Sequence, residues 1–204
     1  MSVKIIETNL HFKNTLRNRA VTKRIIVHHT ASPDVSAKTI HQWHLNKSWS
    51  GLGYHYVIRA NGDIERGRPE RAIGAHAIPA NGDGIGIVLT GNFEQDKPSQ
   101  AQLDSLVALV LDIQARCGGN LQVLRHKDVD ATACPGRNFP WQVFKQRLED
   151  KQMQIPEWKL NIMRDAEKTG LIDPKAGHKP DDTATKWFVL AVGLNLIKAL
   201  KGGR

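Results

Sequence analysis

Residues 84–119, GIGIVLTGNFEQDKPSQAQLDSLVALVLDIQARCGG, place two different periodicities end to end. The first ten are a short apolar run with glycines before and after, which reads as a central strand. From Ser99 the spacing changes. Leu103, Leu106, Val107, Val110, Leu111 and Ile113 recur every three or four residues and line one broad face of a helix. Ser99 is a good N-cap, and Gly118-Gly119 is a stop signal.

The same alternation continues on both sides. Upstream, RIIVHHT (24–30) is a β-branched run that reads as a buried strand ending at histidines. SAKTIHQWHLNK follows, a helix capped by Ser36, with Ile40, Trp43 and His44 at helical spacing. YHYVIRANGDIERGR then carries two strands about an Asn61-Gly62 turn, a strong hairpin signal. Downstream, LQVLRH predicts another strand and WQVFKQRLED another helix. Strands interleaved with helices, plus one hairpin, predict an α/β fold: a mixed central β-sheet flanked by helices.

The pattern changes around DKQMQIPEW, where Pro156 interrupts. Two helices are expected in 157–204, a small helical C-terminal module following a domain that occupies 1–150. Residues 151–204 hold ten basic and six acidic side chains, so +4 of the chain's net +9 lies there. A segment this short has little room for a core of its own. The sequence predicts that it docks on the first domain or self-associates, either as an attachment module for an anionic polymer or as a structural cap.

At 204 residues, 40% hydrophobic and 24% charged, the chain has the make-up of a folded domain with an appendage. The charge of +9 favours an anionic partner: nucleic acid, acidic lipid or an acidic polymer. No basic-aromatic interleaving or reading helix supports nucleic acid. WFVLAVGLNLI, the most apolar run, is shorter than the ~20 residues a membrane span needs, so no stable membrane insertion is expected. MSVKIIETNLHFKNTLRNRA lacks the apolar stretch of a secretory signal, which predicts synthesis in the cytoplasm without export by that route. Two cysteines are too few for a disulfide framework.

That leaves Cys134 to explain. LRHKDVDATACPG (124–136) sets it after His126 with seven residues between, at the end of a strand and before Pro135. A hydrolytic zinc takes about three protein ligands and keeps one position for water, and a mixed histidine and cysteine set suits it. The third ligand should come from another strand end, which the adjacent pair His28 and His29 provides. Strand alternation sends these two to opposite faces, so only one can ligate. His41 and His44, one helical turn apart, read as packing or hydrogen-bonding residues beside Trp43, and Cys117 reads as core. His11 and His178 read as unremarkable surface residues.

Six stretches, VHHTAS, IHQWH, GYHYVI, GDIERGRPERAIGAHA, GIGIVLTGNF and LRHKDVDATACPG, occur in the order seen in zinc-dependent N-acetylmuramoyl-L-alanine amidases. Over about residues 20 to 149 the chain resembles the group that contains phage amidase-type lysozymes and animal peptidoglycan recognition proteins. The resemblance implies one zinc ion held by His28, His126 and Cys134, His28 being preferred to His29 because it directly follows Val27. It implies that Tyr54 lies beside the metal water and that Thr132, two residues before the cysteine, assists where many phage enzymes carry a lysine. Some branches place a glutamate base in the central strand; Val88 stands there, which removes that base. His76 matches a position on the substrate groove and is expected to contact substrate. His55, alternating away from Tyr54, is expected to orient a ligand or pack.

The function so implied is hydrolysis of the amide between N-acetylmuramic acid and L-alanine in bacterial peptidoglycan. The expected setting is a phage or prophage endolysin, made in the host cytoplasm and acting on the wall after holin-type release. A cytosolic muropeptide-recycling amidase and a non-catalytic peptidoglycan-binding module are the alternatives. Loss of the cysteine would have marked the binding module, and Cys134 is present.

Overall fold

The computed structural model describes residues 3–117 and 121–153. The Gly118-Gly119 stop, the two helices expected in 157–204 and His178 lie outside the described residues. Five strands form one sheet: β1 (Arg24–His29), β2 (Tyr56–Ile58), β3 (Ile64–Arg66), β4 (Gly84–Leu89) and β5 (Gln122–Arg125), in the order β3-β2-β4-β1-β5. All neighbours run parallel except the β2–β3 hairpin. The fold class read from the sequence, a mixed sheet with helices, is the one observed. β4 is central, as its glycine-flanked apolar run predicted.

Among the described residues three helices accompany the sheet: α1 (Ala37–Asn46), α2 (Gln100–Arg116) and α3 (Trp141–Met153), the last running three residues past its expected end. The Ser36 hydroxyl accepts from Thr39 N–H to start α1. Ser99 and Gln102 form a reciprocal capping box on α2. The buried face of α2 includes Leu106, Leu109, Val110 and Ile113. Leu109 belongs to it although Leu111 was the sequence expectation: it sits three residues after Leu106 and four before Ile113, in the middle of the stripe, whereas Leu111 is only partly buried.

Residue parity gives the sheet two unlike faces. Ile25 and Val27 of β1, Ile85, Ile87 and Leu89 of β4, and Tyr56 and Ile58 of β2 join α2, Phe144 and Leu148 in the main core. The opposite face carries two smaller clusters. One gathers Val57, Val88, Ala37, Ile40 and Leu52; the other gathers Ile26, Ala77 and Ala80. On this second face Gly86 presents no side chain, and the ring of His76 lies against it. A Cβ at Gly86 would come 2.4 Å from His76 Cδ2.

The N-terminal residues, which the sequence left unread, close the β3 edge. Ile6 bridges Glu65 in parallel, with Ile6 N–H donating to Ile64 C=O and Arg66 N–H to Ile6 C=O. This pairing covers a row of backbone groups that would otherwise be open.

Candidate metal centre

β1 delivers His28 to the second face, fully buried, while His29 points to the first. There His29 Nδ1 accepts the Phe93 N–H at 3.0 Å, so it takes no part in the cluster. β5 ends at Arg125, and the next residue, His126, opens a short 3-10 turn over His126–Asp128. Because β5 pairs with β1, that turn starts beside the end of β1. Cys134 is tied to it by Lys127 N–H donating to Cys134 C=O at 3.0 Å. Gly136 then turns the chain at φ +100°, where a Cβ would lie 2.5 Å from the Phe93 carbonyl carbon.

One nitrogen each of His28 and His126 and the sulfur of Cys134 lie within 4.8 Å of one another. His28 Nδ1 is 3.8 Å from Cys134 Sγ, and the His28 and His126 ring centroids are 4.5 Å apart. Two imidazoles and a thiol at this spacing could hold a metal ion. The electrostatics agree. Burial, reinforced by neighbouring His76 and His126, drives His28 well below the usual imidazole range, so it is a neutral donor. Burial also pushes the Cys134 thiol up to about 11, against a weak opposing pull from the His29 N–H. A buried thiol of this kind ionises when a cation is at hand to share its charge.

Surrounding residues contact two of the three donors. His28 Nε2 lies 3.0 Å from His76 Nδ1, and the His29 N–H donates to Cys134 Sγ at 3.4 Å. His55 lies behind His76 with ring centroids 5.6 Å apart. Its Nδ1 accepts the Gly86 N–H at 2.9 Å and its Nε2 lies 3.0 Å from Ala72 C=O, which makes Nε2 the protonated nitrogen. Burial lowers His55 to about 3.

Tyr54 stands over the cluster, its ring 5.0 Å from His28 and 6.1 Å from His44. Burial raises its phenol, so the hydroxyl keeps its proton. Thr132 is exposed, and its Oγ1 accepts the Cys134 N–H at 3.2 Å. Val88 is buried in the α1-side cluster, paired in register with His28. Among the remaining histidines, His41 Nδ1 accepts from Leu52 N–H and His44 Nδ1 from Gly53 N–H, which are structural bonds. Cys117 packs at the edge of the main core.

His76, expected to contact substrate, packs beside the three donors. It is only 8% exposed and lies behind His28, drawn in because Gly74 and Gly86 leave room for its ring and because Asn81 Oδ1 accepts its backbone N–H. Its Nδ1 lies 3.0 Å from His28 Nε2, and its Nε2 is buried with no hydrogen-bond partner among the described residues. Asp130 was missed: its Oδ2 is 3.6 Å from His126 Nε2. The four-residue spacing from His126 was the available signal.

The profile of the family described as N-acetylmuramoyl-L-alanine amidase matches residues 17–137. The chain is 37% identical over 132 residues to the endolysin of Enterobacteria phage T3, covering 60% of this chain and 86% of that one. It is 30% identical over 126 residues to peptidoglycan-recognition protein SC2 of Drosophila melanogaster, covering 56% and 68% respectively. Among solved structures, the N-acetylmuramoyl-L-alanine amidase LysC from Clostridium intestinale URNW superposes with a TM-score of 0.70 at 37% identity, covering 72% of this chain and 99% of that one. The profile match spans more than half of the sequence and contains all three clustered donors, and on that ground the chain belongs to the N-acetylmuramoyl-L-alanine amidase family.

Proposed function

We propose that the protein is a zinc-dependent endolysin that hydrolyses the amide between N-acetylmuramic acid and L-alanine in peptidoglycan. The observation that carries this reading is the meeting of His28 and Cys134, 106 positions apart, with His126 between them in sequence. The donor set fits the ion. Tetrahedral zinc at its usual bond lengths holds a nitrogen and a sulfur roughly 3.6 Å apart, close to the 3.8 Å between His28 Nδ1 and Cys134 Sγ.

His28, His126 and Cys134 would hold one ion per chain, which supplies Lewis acidity to the scissile carbonyl and to the water that attacks it. The protonated Tyr54 hydroxyl donates a hydrogen bond to that water or to the charge developing on the carbonyl oxygen. Thr132 spends a lone pair on the Cys134 N–H and keeps its own hydroxyl proton to donate to the same oxygen. It lacks the full positive charge of a lysine and contributes less. Val88 leaves β4 without a carboxylate base, which gives Tyr54 the larger share. Water adds to the carbonyl carbon, the C–N bond breaks, the proton goes to the departing L-alanine amine, and the lactyl carboxylate remains.

The similarity to a phage endolysin supports a phage or prophage origin, with synthesis in the cytoplasm and action on the wall after release. Residues 157–204, with their basic surplus, would serve attachment to anionic wall polymers. Peptidoglycan binding without cleavage is the second reading, from the similarity to recognition protein SC2. Incubation with purified walls, with and without chelator, decides between them. New L-alanine amino termini that disappear with chelator are expected; their absence in both arms would leave binding alone.

A further inference from the structure

Two of the three clustered donors have a hydrogen-bonding partner outside the cluster. His28 has His76 at 3.0 Å, and Cys134 has the His29 N–H at 3.4 Å. His126 differs. Its Nε2 is buried and has no hydrogen-bond partner among the described residues. Asp130 Oδ2 lies 3.6 Å from it, just beyond hydrogen-bond range. Asp130 is not a free side chain that happens to pass by. Its Oδ1 accepts the Ala131 N–H at 2.9 Å, and its backbone N–H donates to His126 C=O at 3.0 Å. The carboxylate is thus pinned on one oxygen with the other turned to the imidazole.

We infer that Asp130 is a positioning residue that accepts the Nε2–H of His126, fixing the tautomer and ring orientation that leave Nδ1 for the metal. This rests on the metal-site reading of the cluster. A histidine ligand is commonly held this way, and loss of the outer partner costs 10–100-fold in metal affinity. Asp130 is 41% exposed at its side chain, so the pair adds little to folding and its effect lies in orientation.

The test measures zinc affinity of the full chain by competition with a chromophoric chelator, alongside thermal unfolding of the metal-free protein. D130A should weaken zinc binding 10–100-fold with the metal-free melting temperature unchanged. D130N should recover most of the loss, because its amide oxygen still accepts from Nε2–H. D130A within twofold of wild type would overturn the inference. So would D130N as weak as D130A, or a parallel fall in metal-free stability. Wild-type protein that takes up no zinc would overturn the metal site itself and this inference with it, which separates the two failures.

Discussion

The two faces of the sheet are made by the same strands and do different work. On one, Val27, Ile87 and Tyr56 meet α2 and α3 in a continuous apolar core. On the other, one residue along the chain from these, stand His28, Gly86 and His55; the two histidines are buried, and this face also carries two small apolar clusters. Burying neutral imidazoles costs stability unless each finds a partner, and His55 finds two, in Gly86 N–H and Ala72 C=O. Stability is concentrated on one side of the sheet, so the other can hold titratable donors close together.

Substitutions on each face should therefore separate stability from chemistry. The largest effect is expected at the donors: Cys134→Ser should drop peptide release from purified walls to the chelator background and remove retained zinc, with the fold intact by circular dichroism. Full zinc retention with unchanged release would contradict the ligand assignment. On the other face, Leu109→Ala leaves a cavity in the middle of the α2 stripe and should cost about 2–5 kcal/mol in denaturant unfolding, with metal stoichiometry unchanged. A loss of zinc in that variant would mean that the faces are not separable.

Acid should act through the histidine face. His55 is held at about 3 in the fold, below the ~6.5 of an unfolded imidazole. Unfolding therefore takes up a proton in this window, and stability is full above pH ~6.5 and falls toward pH 3 by up to about 1.4 kcal/mol per pH unit. Between pH 6.5 and 4.5 the metal-free protein should lose about 2 kcal/mol more than a His55→Gln variant; equal pH slopes would refute this. The smallest of the four is Tyr54→Phe, expected to keep zinc and lower turnover by more than tenfold, or about 1.4 kcal/mol. Unaltered turnover would remove Tyr54 from the mechanism.

The contrast between the faces also marks how far the sequence could be read. The strands, the hairpin and the caps at Ser36 and Ser99 are local signals, and the structure carries them as expected. Alternation alone separates His28 from His29, since adjacent strand residues must diverge. The place of His76 was not legible in this way. It depends on space left by Gly74 and by Gly86 on a strand that follows later in the chain, and on Asn81 pulling its backbone inward. The Ile6 bridge to β3 was hidden for a related reason, because two isolated contacts leave no periodic trace. Asp130 was visible in spacing but carries meaning only once His126 Nε2 is found buried and unpaired.

The proposed chemistry depends on a metal held between two imidazoles and a thiolate. X-ray absorption at the zinc edge of the reconstituted protein tests this most directly. One ion per chain with one sulfur and two imidazole nitrogens in its shell is the predicted result. A shell without sulfur, or protein that retains no ion after desalting, would contradict it.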